Sequence, residues 1–97
     1  MTINVYRFEF DRSVSLTEAE ETVQLAGMAV EGLFGTARVR MDFSYHVDEP
    51  HCTIFIDGTT EVGDAIVKVF TSLALREFGQ NAFRVHRLEM RATVKHV

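Results

Sequence analysis

The residues best placed to do chemistry are His46 and His51, which flank Asp48-Glu49-Pro50. Two imidazoles and a carboxylate suit zinc or another borderline metal. No third ligand stands at motif spacing, so the pair reads as two exposed histidines beside a turn, and no metal or cofactor is expected. Cys52 is the only cysteine. It can form no intrachain disulfide, and it is expected to point inward as a small inert hydrophobe.

Arginine placement gives a second candidate. Arg7, Arg38, Arg40, Arg84, Arg87 and Arg91 all lie in segments that read as strands. Guanidinium groups suit bidentate contacts to phosphate or carboxylate. Arg38, Arg40, Arg84 and Arg87, with Phe55 as a stacking platform, therefore form a candidate anion-binding surface. The competing reading is a solvated face of interleaved charge, with pairs such as Arg40 and Asp57 across strands. The Lys/Arg-Gly-Phe/Tyr start of RNA-recognition sheets is absent, and the net charge of −4 opposes bulk attraction to nucleic acid or anionic membranes. Tyr6, Tyr45 or His86 could serve acid–base chemistry in a cleft between sheet and helices. No constellation of roles assembles around them, and the reading leans away from an enzyme.

Several elements must position these residues. Ile3–Phe10 reads as a strand, with Tyr6, Phe8 and Phe10 on one face and Val5, Arg7 and Glu9 on the other. Ser15 and Glu18 form a capping box that opens a helix. Its buried stripe is Ala19, Val23, Ala26, Val30 and Leu33, and Gly35 ends it. From Ala37 to Val47 apolar residues alternate with Arg38, Arg40, Asp42, Ser44 and His46, the pattern of a half-buried strand. A four-residue loop over Val47–Pro50 then sets His46 opposite His51, Ser44 opposite Thr53, Phe43 opposite Ile54 and Arg40 opposite Asp57. The third strand is His51–Asp57. Thr59 or Thr60 caps a second helix with the stripe Val62, Ile66, Val69, Phe70 and Leu73, closed by Gly79. The last strand runs from about Ala82 to Val94. Its apolar phase shifts from Phe83 and Val85 to Leu88, Met90, Ala92 and Val94, which predicts a β-bulge near His86-Arg87.

The two halves echo one another. Phe8-Glu9-Phe10-Asp11 and Ile54-Phe55-Ile56-Asp57 each precede a helix, and each helix ends in Phe-Gly. The expected architecture is α+β: one ferredoxin-like βαββαβ plait over residues 1–97, with two helices on one face of a four-stranded antiparallel sheet. That fold hosts many unrelated functions. The N-terminus lacks the pattern of a signal peptide, and no apolar run is long enough to span a bilayer, so a cytoplasmic location is expected.

A 97-residue chain buries a thin core and has a narrow stability margin. It nevertheless places Leu25 and Met28 on the outer face of the first helix, and Val67 and Leu75 outside the core stripe of the second. The expectation is a homo-oligomer formed through these helix faces, with Val5 and Phe55 of the open sheet as a second contact. The function expected is that of a self-associating assembly or protein-binding module. Binding of a small anionic ligand is the first alternative, and a small cofactor-free enzyme the second.

Overall fold

Gly35 and Gly79 end the two long helices at φ 87° and 90°, with ψ near 155°, a region that essentially only glycine occupies. The computed structural model describes residues 2–91. In chain order the elements are β1 (Thr2–Phe10), α1 (Leu16–Phe34), α2 (Thr36–Asp42), β2 (Tyr45–Asp48), β3 (Thr53–Asp57), α3 (Glu61–Phe78) and β4 (Phe83–Arg91). The four strands form one antiparallel sheet in the order β2-β3-β1-β4.

Helix starts follow the local chemistry. The Ser15 hydroxyl accepts from the Glu18 backbone N–H (3.3 Å), and Thr60 accepts from Gly63 N–H (2.9 Å). Each cap satisfies a donor that the first turn leaves unpaired. Ala19, Val23, Ala26 and Val30 of α1 and Val62, Ile66, Phe70 and Ala74 of α3 are fully buried against Phe8, Ile54 and Ile56. Phe8 meets Phe70 edge to face at 4.8 Å between ring centres, the arrangement aromatic quadrupoles favour. The Thr22 hydroxyl donates to Glu77 (2.7 Å) and ties α1 to α3. Val39 is the buried residue of α2 and joins the same core, so these helices pack on one side of the sheet.

The structure corrects the sequence reading at six places. The segment expected to open a long second strand is the helix α2, and β2 is only four residues. Ala37, Arg38, Arg40 and Met41 favour helix, and Met41 is 83% exposed instead of facing the core. Arg38 fixes α2 in place. Its guanidinium lies 4.8 Å from the Phe34 ring centre and 3.0 Å from Glu61, while the Thr60 hydroxyl donates to the Asp42 carbonyl (3.0 Å).

The β2–β3 register is Tyr45↔Ile56, His46↔Phe55, Val47↔Ile54 and Asp48↔Thr53, four residues away from the expected pairing. An even offset leaves each side chain on its expected face, which is why the apolar pattern was compatible with both registers. A 3₁₀ turn over Glu49–His51 followed by Cys52 at φ 49° makes the connection. Cys52 is consequently in the loop, half-buried, with its sulfur 3.9 Å from Arg12 Nη1, and not in the core.

Leu33, in the last turn of α1, is 77% exposed, whereas Val67 is only 6% exposed and belongs to the core. No bulge interrupts β4. Nine consecutive pairs with β1, from Phe10↔Phe83 to Thr2↔Arg91, hold one register. Ala92 and Val94 of the expected strand lie outside the described residues.

Candidate functional site on the open face of the sheet

Because β4 carries no bulge, its apolar phase shift changes the face on which apolar residues stand. Phe83 and Val85 pair with Phe10 and Phe8 on the helix side, but Leu88 and Met90 pair with Val5 and Ile3 on the opposite face. β1 makes the same switch at the same level, from Phe10, Phe8 and Tyr6 to Val5 and Ile3. Two strands that exchange their apolar face together leave Ile3, Val5, Leu88 and Met90 as a patch on the side away from the helices. Leu88 is 37% and Met90 53% exposed.

Toward the other end of the strands the same face turns polar. Register places Asp48, Thr53, Glu9 and Arg84 in one row across the sheet, and His46, Phe55, Arg7 and His86 in the next. Arg7 pairs with Glu9 at 3.0 Å, and His86 stands 3.8 Å from the same carboxylate oxygen. Arg7 Nε is buried and has no acceptor among the described residues. His51 Nδ1 lies 2.9 Å from Asp48 Oδ2. Two shallow clefts flank Phe55. One, of about 440 Å³, is lined by Arg7, Glu9, Asp48, His51, Thr53 and Phe55. The other, of about 220 Å³, includes Val5, His46 and Asp57.

The expected sites are redistributed by this geometry. His46 faces Phe55, with 6.3 Å between ring centres, and His51 turns to Asp48, so the two histidines are not cross-strand neighbours. Among the described residues no three His, Cys, Asp or Glu side chains converge as metal ligands would. The expected arginine surface does not assemble. Arg38 and Arg40 ride on α2, and Arg87 sits on the helix side of β4 beside Glu89 (2.9 Å), leaving Arg84 and Phe55 on the open face. The Arg38–Glu61 and Arg87–Glu89 pairs already supply these guanidinium groups with carboxylates.

Of the residues weighed for acid–base work, Tyr45 donates its hydroxyl proton to Glu20 (3.0 Å) and accepts from Gln24 (3.3 Å). Burial first, and the Glu20 carboxylate with it, push that hydroxyl above its ordinary pKa against the opposing bond from Gln24. Tyr6 lies under the Gly58 backbone, where a Cβ would meet its ring at 2.6 Å. Tyr6 and Tyr45 stand on the helix side, while His86 is on the open face.

The expected interface residues divide. Leu25 (53%), Met28 (65%) and Leu75 (46%) are exposed, and buried Val67 is not. Ile3, Leu88 and Met90 were missed as surface residues. Their signal is the matching phase switch of β1 and β4, which in β4 alone is equally compatible with a bulge. No described helix is long and apolar enough to cross a membrane. Comparisons with protein-family models, with curated proteins and with solved structures find no match for this chain.

Proposed function

We propose that this chain is a self-associating assembly module whose contact surface is the open face of the sheet. The observation that carries the reading is the joint face switch of β1 and β4, which puts Ile3, Val5, Leu88 and Met90 together on the side away from the helices. Among the described residues, none of these four side chains belongs to the hydrophobic core or packs against it. Covering them with a second copy would remove their surface from water at about 25 cal/mol per Å², before the costs of association.

The outer face of α1 is the rival surface, since it exposes Leu25, Met28 and Leu33. Its charges argue against contact with a copy of itself. Glu18, Glu20, Glu21 and Glu31 are its only charged residues, so two such faces would repel. The open sheet carries both signs and can complement itself.

The finer description of the fold belongs to the same reading. Two β-α-β units, β1 and β3 in the middle of the sheet and helices on one side support a ferredoxin-like βαββαβ plait, with α2 as an added element. A cytoplasmic location is part of this proposal. Sedimentation equilibrium across the micromolar range tests the function: the mass should approach twice the 11.0 kDa of one chain. A mass that stays at one chain throughout would refute it.

A further inference from the structure

We infer that two copies pack open face to open face about a two-fold axis that runs along the strands between β1 and β4. This rests on the self-association reading and adds the orientation. The cross-strand pairs on the open side of these two strands are Ile3↔Met90, Val5↔Leu88, Arg7↔His86 and Glu9↔Arg84. An axis along the strands keeps each residue at its level and exchanges the strands on either side of it. With the axis between β1 and β4, β1 of one copy lies over β4 of the other. Each residue then meets the copy of its own cross-strand partner. Ile3 and Val5 cover Met90 and Leu88, and Glu9 faces Arg84, so one axis serves the apolar contact and the charge pair together.

The neighbouring axes do not achieve this. With the strand order β2-β3-β1-β4, an axis between β3 and β1 would lay Val5 on Asp57, and an axis through β1 would lay Leu88 on Asp57 and Glu9 on Glu9. Either one buries a carboxylate against an apolar side chain. An axis across the strands through the patch covers the patch, but the sheets then overlap only at that end, and Glu9 and Arg84 lie outside the contact. Facing sheets cross at about 30°, which displaces the outer rows by about one strand spacing, a gap that the arginine side chain spans. Among the described residues, both ion-pair partners of Glu9, Arg7 and His86, approach its Oε1, which leaves Oε2 for Arg84 of the other copy. β2 and β3 fall outside the overlap, so Phe55 stays open to solvent in the dimer.

Arg84 reads the direction of the axis and Phe55 its position. A nitroxide spin label would be attached at Arg84→Cys in a Cys52→Ser background, and the distance between labels in the dimer measured by dipolar electron spin resonance. It should be within about 25 Å, from a sheet spacing of about 10 Å and a lateral offset of one to two strand spacings. An axis across the strands would separate the labels by about 35 Å, because Arg84 lies about 17 Å along β4 from the middle of the patch. A label that dissociates the folded chain would also place Arg84 in the contact, since that second axis leaves it outside. Phe55→Gln should keep the wild-type dimer mass in sedimentation equilibrium, with circular dichroism confirming the fold. Labels about 35 Å apart, or a Phe55→Gln chain reduced to a monomer, overturn the orientation and leave self-association standing. A wild-type chain that stays monomeric overturns both.

Discussion

Val5 on β1 lies directly opposite Leu88 on β4, on the face of the sheet away from the helices. On the other face, one position along each strand, Tyr6 stands opposite Arg87. At this level the apolar pair is outside and the polar pair is on the helix side, the reverse of the arrangement at Phe8 and Val85. A small domain that only needed to cover one core would have no reason for such a reversal, which is why this face is read as the contact surface.

The corrected core makes a direct stability prediction. Phe70 is fully buried beneath Phe8, and its replacement by Ala should cost about 3–5 kcal/mol. Leu33, placed in the core by its helical spacing, is 77% exposed, and Leu33→Ala should change stability by no more than about 0.5 kcal/mol. Urea denaturation would distinguish them, and similar losses at the two sites would contradict the end of α1 described above.

The junction of β3 and α3 leaves no room for a side chain at Gly63. A Cβ there would run into the Asp57 backbone carbonyl, at the point where the Thr60 cap holds the first turn. Gly63→Ala should therefore destabilise by about 1–3 kcal/mol, although alanine is the better helix former. An unchanged or raised melting temperature would show that the α3 entrance is looser than this.

Tyr45 gives a pH dependence. Its pKa in the folded state is raised, by burial first and also by Glu20. Above the ordinary tyrosine pKa of about 10, the unfolded chain loses this proton while the folded chain keeps it. The stability linked to the group is thus fully present below the unfolded value and falls as pH rises through the folded one. Tyr45→Phe should lose stability less steeply than wild type between neutral and strongly alkaline pH. Parallel slopes in denaturation titrations would contradict the assignment.

Much of the scaffold was legible because it follows from local rules. Ser15, Thr60, Gly35 and Gly79 marked the helix ends, and most of the α1 and α3 core positions followed from spacing. The expectation failed where two patterns were locally consistent. Residues 37–43 alternate as a strand would, yet Arg38 finds Glu61 and the Phe34 ring only if this segment is helical, a tertiary contact that spacing does not reveal. The hairpin register failed because an offset of four preserves both faces. Arg7 and Glu9 share a face of β1 by period two, as the sequence shows, but the approach of His51 to Asp48 depends on the turn that ends at Cys52, which spacing does not reveal.

The central claim is that the open sheet face, and not the helix face, holds copies of this chain together. Light scattering coupled to size-exclusion chromatography, run on two paired variants at equal concentration, tests it most directly. Leu88→Gln with Met90→Gln should elute at the 11.0 kDa mass of one chain, while Leu25→Gln with Met28→Gln should keep the wild-type dimer mass. A sheet variant that remains dimeric while the helix variant falls to one chain would contradict the account.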